Sequence, residues 1–267
     1  MTNRLVNLII ASLVVCSCAA VRGQTQSTPR EIINAMLATY KTASSYQDTG
    51  SAIVVETDSK PVQSAPHVGD ILVSYRTYFV RPNMFRFDWK SPRTRLREAS
   101  VWSNDGKKPY LWTPEVAAHD DSFTFRTSKY LDMAIMDAGR SSAGAVWPLI
   151  SLFIKEASVM SFADHLEMAT ELVLVREEPV DGEMCFAIKA SFSGVPWTLW
   201  IAKQRKIIRK TRTVYSYGSF DESVETGVRH VYVADETRRD IRINEPISKA
   251  VFNYRPTLRP NDVDLTR

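Results

Sequence analysis

The chain has 267 residues, and its 34 basic side chains against 30 acidic ones give a formal net charge of +4. So small a charge does not indicate a protein that binds nucleic acid, and none is expected as a partner. No stretch resembles an interdomain linker, a repeat or a low-complexity tract, so residues 24–267 are predicted to form a single domain.

The first 23 residues are predicted to be a secretory signal peptide. Arg4 precedes an apolar run, Leu5–Val15, which is too short to span a membrane, and Gly23 ends a suitable cleavage site. Two processing routes remain open. Cleavage after Gly23 gives a soluble exported protein, whereas loose lipobox patterns at Cys16 and Cys18 would give a lipid-anchored one. Both routes predict a periplasmic or otherwise exported location.

The exported chain is predicted to begin with a helix and to continue mainly as strands. Thr28 and Glu31 form a capping-box pattern around Pro29, and an apolar stripe follows. Helical spacing recurs over 129–138 and 145–157. Eleven strands are predicted, at about 46–56, 71–81, 84–90, 96–103, 110–113, 122–127, 168–176, 184–192, 197–202, 207–216 and 228–233. Many strands joined by tight turns predict an α+β fold with a meandering antiparallel sheet.

Motifs for catalysis and cofactor binding are missing from the sequence. There is no nucleophile elbow, phosphate-binding loop or dinucleotide glycine pattern, so no catalytic residue, enzyme activity or cofactor is predicted. The four histidines are far apart, and no metal site is predicted from them: His67, His119, His165 and His230. Basic residues cluster between Lys203 and Arg212, either as a solvated strand face or as a surface for anionic headgroups or an acidic partner.

The segment Phe79–Trp89 indicates two strands joined by an Arg-Pro-Asn turn. Phe85, Phe87 and Trp89 alternate with polar residues, as in a strand that is buried on one side. Arg81 shares the apolar face of Phe79 by the strand period of two. Two interpretations remain open for Arg81: its side chain reaches water at the strand end, or a partner pairs with it on the apolar side.

Four short motifs occur in the order and spacing of one known protein family. They are RPNMFRF at 81–87, SNDGK at 103–107, WTLWI at 197–201 and AVFNYRP at 250–256. Together they span most of the chain after residue 28 and resemble the LolA-like periplasmic lipoprotein carriers. The stretch 128–165 matches that family poorly and is longer than in a typical carrier.

The resemblance implies an open, unclosed antiparallel β-barrel of about eleven strands with a helical lid on its concave face. It implies an exported, non-enzymatic binder or carrier of lipid or lipoprotein acyl chains, held in a hydrophobic cavity between sheet and lid. Arg81 matches the arginine that, in the family, holds the lid shut through backbone carbonyls of the helices. The alternative is a sensory or structural protein-interaction module of the same fold in the cell envelope, without cargo transport.

The implied cavity leads to a set of candidate site residues and partners. The predicted ligand-binding residues are Arg81, Phe79, Phe85, Phe87, Trp89, Ile33, Met36, Leu37, Trp112, Trp147 and Phe153. Ordinary core packing between sheet and helices is the alternative for most of the aromatic residues. The predicted partners are acyl chains and an envelope membrane protein as donor or acceptor, and the protein is expected to be a monomer. The helix that starts at Pro29 and the helix over 145–157 are expected on the same face of the sheet.

Overall fold

The computed structural model describes residues 27–57, 71–105, 108–114, 122–154, 162–192, 195–218 and 229–266. The predicted signal peptide, with Cys16 and Cys18, lies outside the described residues, as do Gly106 of the predicted hairpin and the last residues of the predicted helix 145–157. Among the described helices, none has the length and hydropathy needed to cross a membrane.

Twelve described strands form one sheet in the order β12-β6-β5-β4-β3-β2-β1-β11-β10-β9-β8-β7. Their bounds are β1 Ser45–Thr57, β2 Ile71–Val80, β3 Met84–Lys90, β4 Ala99–Ser103, β5 Tyr110–Pro114, β6 Phe123–Thr127, β7 Glu171–Val180, β8 Glu183–Phe192, β9 Val195–Ala202, β10 Ile208–Gly218, β11 Arg229–Ile243 and β12 Val263–Asp264. All pairings are antiparallel except that of β12 with β6. The sheet does not close, because β7 and β12 remain its two edges. The predicted open, mostly antiparallel α+β fold is therefore confirmed.

The eleven predicted strands all occur, and two features of the sheet were not predicted. The short strand β12 adds a twelfth member at one edge. Strand β11 runs to Ile243, ten residues past its predicted end. Its second half is rich in charged residues. Pairing with β10 runs as far as Thr237 and pairing with β1 continues to Ile243, so backbone hydrogen bonding keeps this half extended.

Four α-helices are described: α1 Pro29–Thr42, α2 Leu131–Ser141, α3 Trp147–Phe153 and α4 Phe162–Met168. The predicted capping box of α1 is confirmed, because the Thr28 side chain accepts from the Glu31 backbone and the Glu31 carboxylate accepts from the Thr28 backbone. Helices α2 and α3 correspond to the two predicted helical stretches. Helix α4 was not predicted, since its seven residues are too few for a clear helical period.

The alternation of side chains gives the sheet an inner face, which the helices cover, and an outer face. On the inner face Tyr46 of β1 lies opposite Phe79 of β2, which lies opposite Phe85 of β3. Phe153 of α3 packs against Tyr46 and Phe79, and also against Tyr40 of α1. Helices α1 and α3 therefore lie on the same face, as predicted.

The C-terminal segment covers the outer face of β3–β6. Tyr254 packs edge-on against Trp102, with ring centroids 5.1 Å apart. The Arg86 guanidinium lies 3.8 Å from the centroid of the Tyr254 ring. Further along, both oxygens of Asp262 accept from Arg97, and β12 then pairs with β6. Both faces of this half of the sheet are therefore buried.

The basic cluster between Lys203 and Arg212 lies among carboxylates. Its ion pairs are Lys203 with Glu177, Arg205 and Arg209 with Glu183, and Lys210 and Arg212 with Asp235. These three carboxylates offset about half of the positive charge of the six basic residues in the cluster. The two alternatives for this cluster both stay predictions.

Candidate functional site

An apolar layer lies between the inner face of the sheet and helices α1 and α3, and we call it the inner layer. Seven of the eleven predicted ligand-binding side chains are buried in it: Ile33, Met36, Phe79, Phe85, Phe87, Trp89 and Phe153. Leu37 of α1 is partly buried against the same cluster. The apolar stripe of α1 faces the sheet because burying one helix face removes its apolar surface from water.

Phe153 lies at the centre of the inner layer. Its ring centroid is 4.5 Å from that of Phe79, 4.9 Å from Tyr46 and 5.3 Å from Tyr40. It is the last residue of the short helix α3. Around Phe153 the space between helices and sheet is thus filled by aromatic rings. A ligand could enter here only if this ring moved away with the end of α3.

Arg81 connects the strand turn after β2 to the C-terminal end of α1. Its Nε donates to the Ala43 carbonyl oxygen at 2.7 Å, and its Nη2 donates to the carbonyl oxygens of Tyr40 at 3.0 Å and Lys41 at 2.6 Å. The last carbonyls of a helix have no partner within the helix and carry the negative end of its dipole, so a guanidinium is stabilised there. Arg81 therefore pairs with the helix on the apolar side, while its ligand-binding role remains a prediction.

Arg30 makes a second attachment at the other end of α1, which the sequence did not suggest. Its Nη1 donates to the carbonyl oxygens of Leu166 at 2.9 Å and Glu167 at 3.2 Å, and its Nη2 donates to that of Ala169. These carbonyls belong to the C-terminal end of α4. Helix α1 is thus held at both ends by guanidinium groups, and no local sequence signal around Arg30 could have shown this long-range contact.

A buried ionic cluster lies on the inner face of β1, β10 and β11. Arg238 forms ion pairs with Asp48, at 2.9 Å, and with Glu236. The Tyr46 hydroxyl donates to Asp48 at 2.7 Å, and the Thr211 hydroxyl donates to Glu236 at 3.2 Å. Burial raises the pKa of the Glu236 carboxyl, although the Arg238 charge opposes the shift. Two carboxylates therefore share one guanidinium in an otherwise apolar layer.

Sequence reasoning missed this ionic cluster. The run from Asp235 to Asp240 contains five charged residues, and such a run normally indicates a solvated strand. The register of β11 with β1 turns Glu236 and Arg238 inward, opposite Ala52 and Gly50. Among the described residues, Asp48 Oδ1 and Arg238 Nε have no hydrogen-bond partner.

Trp112 does not belong with the other predicted ligand-binding residues, and its assignment is corrected here. It lies opposite Ser100 and Phe125, on the outer face, and its ring centroid is 4.9 Å from that of Phe123. In the central part of β5 both faces are buried, because the C-terminal segment covers the outer one. The sequence of this five-residue strand therefore does not alternate between polar and apolar residues, and it could not show which side chains face inward.

Trp147 also lies away from the inner layer. It is the first residue of α3 and is 39% exposed. Its indole packs against Gly139 of α2, where an added Cβ would lie only 2.3 Å from the indole nitrogen. Trp147 therefore joins α2 to α3 outside the inner layer, and its predicted role in ligand binding stays a prediction.

The described residues offer no obvious reactive group. No cluster of histidine, cysteine, aspartate and glutamate among them could hold a metal ion. Cys185 is buried, and burial raises the pKa of its thiol to about 11. A thiol with so high a pKa is almost entirely protonated at neutral pH and is a poor nucleophile.

The protein belongs to the α+β class, with helices over one face of an open, mostly antiparallel sheet. The family model described as "Predicted periplasmic protein (DUF2092)" matches residues 30–257, and the chain belongs to this family. The periplasmic location predicted from the N-terminus agrees with the description of the family. Among curated proteins, no relative matches the chain.

Three solved structures illustrate what the fold is similar to. A LolA superfamily protein from Nitrosomonas europaea has 11% identity and a TM-score of 0.33, over 85% of this chain and 98% of that chain. The lipoprotein LppX from Mycobacterium tuberculosis has 12% identity and a TM-score of 0.41, over 82% and 97%. The MucA/MucB complex from Pseudomonas aeruginosa has 9% identity and a TM-score of 0.44, over 85% and 60%. One of the three carries the LolA superfamily name that the sequence motifs suggested.

Proposed function

We propose that this chain is an exported, non-enzymatic binder or carrier of lipid or lipoprotein acyl chains. The mature chain, residues 24–267, acts as one domain and holds the acyl chain between the inner face of the sheet and helices α1 and α3. The observation that carries the proposal is the attachment of α1 by Arg81. Three hydrogen bonds to carbonyls at the C-terminal end of this helix hold it over an apolar layer, and such bonds can break and re-form without disturbing the sheet.

The inner layer supplies the binding energy in this proposal. Each CH₂ group removed from water contributes about 0.8 kcal/mol, so an acyl chain of roughly sixteen carbons contributes on the order of 12 kcal/mol before costs. Loss of freedom on association offsets several kcal/mol of this. Displacing Phe153 from Phe79 and Tyr46 offsets more, because the packed aromatic contacts must be broken. The net affinity is moderate, which suits a carrier that must release its cargo.

Entry and release follow from the two sets of contacts on the helices. An entering acyl chain displaces Phe153 and lifts the end of α1, so the Arg81 bonds break. While it is bound, the acyl chain contacts Ile33, Met36 and Leu37 from α1 and the β2–β3 aromatic rings from the sheet. When the acyl chain leaves for an acceptor in the envelope membrane, Phe153 returns to its position and the Arg81 hydrogen bonds re-form. Trp112 takes no part.

The proposal is tested on the natively purified, exported protein. An organic extract is examined by mass spectrometry, and a fluorescent C16 fatty acid is titrated into the delipidated protein. The expected results are a co-purified lipid or acylated peptide and saturable probe binding that a non-fluorescent C16 fatty acid competes. A protein that carries no lipid, does not bind the probe and instead co-elutes with a partner protein would contradict the proposal in favour of an interaction module.

A further inference from the structure

The two edges of the sheet differ in how they are covered by other parts of the chain. At one edge, β12 pairs in parallel with β6, and Arg97 holds the adjacent Asp262 through two hydrogen bonds of 3.1 and 2.8 Å. At the other edge, β7 pairs with β8 on one side, and no described strand pairs with its other side. Strand β7 is ten residues long, so its outer row of backbone groups is a ready template for another strand.

Three consecutive residues near the start of β7, Leu172–Leu174, lack the features that usually protect an edge strand. The strand reads Glu-Leu-Val-Leu-Val from Glu171 to Val175, and the side chains of Val173 and Val175 are 56% and 40% exposed. A β-bulge and charged residues protect edges in many proteins. Here the register shift falls at Val175, between Leu174 and Arg176, so the apolar residues Leu172–Leu174 keep their regular pairing with β8.

A groove of about 680 Å³ lies beside this segment on the outer face of β7–β10. The exposed side chains of Val173 and Val175 supply apolar surface beside it, whereas Trp200 is buried. Residues that line it include Val173, Ala187, Lys189, Thr198, Trp200 and Arg212. This outer-face groove lies on the side of the sheet away from the inner layer. It differs from the outer face of β3–β6, which the C-terminal segment covers.

Three basic side chains, Arg176, Lys189 and Arg212, and one acidic side chain, Glu171, line the outer-face groove, so its charge favours an acidic partner. Arg212 and Lys210 share the single carboxylate of Asp235. No carboxylate of the described residues forms an ion pair with Lys189, an exposed residue in the middle of β8 that lines the groove. An acidic side chain placed beside Val173 would meet this ammonium, since Lys189 lies directly opposite Val173.

We propose that β7 and the outer-face groove form a docking site for an extended, acidic peptide segment of a partner protein. The segment adds to Glu171–Leu174 as a further strand and places an aspartate or glutamate next to Val173 on the outer face, towards the Lys189 ammonium, while its alternate side chains point to the inner face. The chain shows the same mode of contact at its other edge, where Asp262 binds Arg97 and the following Val263 begins β12. This site is separate from the inner layer and does not depend on lipid binding.

The test uses the exported protein and two fluorescein-labelled peptides, Thr-Val-Asp-Val-Asp-Val-Thr and its counterpart with lysine at both aspartates. The acidic peptide should bind and the basic one should not, and raised salt should weaken binding. Lys189→Glu should weaken binding of the acidic peptide about fivefold or more, because an attractive rim charge becomes repulsive. The matched control is Lys129→Glu, at an exposed residue just before α2. This variant should bind the acidic peptide like the parent.

Hydrogen exchange locates the contact independently. On addition of the acidic peptide, amides within Leu172–Val175 should become protected, since strand addition gives the outward-facing ones new partners. The proposal is overturned if neither peptide binds at millimolar concentration, or if Lys189→Glu binds like the parent. Protection away from β7 overturns it as well. A concentration-dependent dimer that protects β7 without peptide would show that a second copy of the chain is the occupant, which also overturns it.

Discussion

The rings of Phe153 and Phe79 stack with their centroids 4.5 Å apart and 19° between their planes. This contact joins the last residue of α3 to an inner-face residue of β2. The guanidinium of Arg81, two residues further along the chain, lies 5.5 Å from the same Phe79 ring. The aromatic contact of α3 and the hydrogen bonds of α1 therefore meet at one end of β2. Movement of either helix would disturb both.

Replacing Phe153 by alanine should weaken the fold and open space in the inner layer. We expect the free energy of unfolding to fall by about 3–5 kcal/mol, as for other buried phenylalanines. If the inner layer takes acyl chains, the variant should also bind the fluorescent fatty acid more tightly, because no ring has to be displaced. Urea denaturation and probe titration measure the two effects.

Phe123→Ala is the matched control for this change. Phe123 is also buried, but it lies on the outer face beside Trp112. The control should lose similar stability without any gain in probe affinity. An equal gain in both variants would show that general loosening, and not the space at Phe153, admits the probe.

Replacing Arg81 by leucine should loosen the C-terminal end of α1. The change removes hydrogen bonds from a charged donor, worth about 1.5–3 kcal/mol in total, and leaves helix carbonyls unpaired. The fold should survive, because the apolar layer is unchanged. The bound probe should exchange about tenfold faster or more in stopped-flow measurements.

The control for Arg81→Leu has to be chosen from the structure. Arg86, which faces away from Arg81 by strand alternation, pairs with the buried Asp88 and packs on Tyr254, so it is not a neutral position. The Arg242 side chain is 58% exposed, and its Nη1 lies 3.8 Å from Oε2 of the equally exposed Glu245, which is a weak ion pair. Arg242→Leu is therefore a suitable control. Probe kinetics that are the same in parent, control and Arg81→Leu would refute a gating role for Arg81.

Replacing Arg30 by glutamine should separate the start of α1 from the end of α4. The Arg30 guanidinium donates to the carbonyl oxygens of Leu166, Glu167 and Ala169, and the shorter amide cannot span all three. We expect a loss of about 1–3 kcal/mol in unfolding free energy. Hydrogen exchange should accelerate in α4 and the first turn of α1 and stay unchanged in β3. Unchanged exchange in α4 would mean that packing alone holds this helix.

Replacing Glu236 by glutamine should change how stability depends on pH. Burial raises the pKa of this carboxyl above its ordinary value of 4.5, so the folded state binds the proton more tightly than the unfolded state does. Its contribution to stability is complete below about pH 4.5 and is lost as the pH rises through the folded-state pKa. The stability of Glu236→Gln relative to the parent should therefore increase with pH in urea titrations. Parallel profiles of the two proteins would contradict the assignment.

Replacing Asp262 by asparagine should change the pH dependence of stability in the opposite direction, and at lower pH. Burial opposes ionisation here, but hydrogen bonds from Arg97 and from the backbone of Arg259 and Phe123 outweigh it, and the pKa is lowered below its ordinary value of 3.8. The stabilisation is present above pH 3.8 and is lost as the pH falls through the folded-state pKa. Asp262→Asn should thus be less stable than the parent at neutral pH, and the difference should shrink in acid. A difference that is constant from pH 7 to pH 3 would show that the charge is unimportant.

Much of the fold could be predicted from local patterns. Strand alternation located all eleven of the longer strands, and the Thr28–Glu31 capping pattern located the start of α1, because both depend on neighbours within a few residues. The end of β11 could not be predicted. Its inward-facing Arg238 pairs with Glu236 on the same strand and with Asp48 on β1, which is 190 positions away in the chain.

Part of the candidate site could likewise be predicted from the sequence, and part was decided by the tertiary structure. The sequence by itself determined that Phe79, Phe85 and Phe87 share one face, since the strand period of two is a local property of the backbone. Only the tertiary structure decided which face of the sheet Trp112 occupies. The C-terminal segment buries the outer face of β3–β6, which removes the polar alternation that would have marked it. The two attachments of α1 were also decided in three dimensions, because the carbonyls that Arg30 and Arg81 bind become available only where a helix ends and another element approaches it.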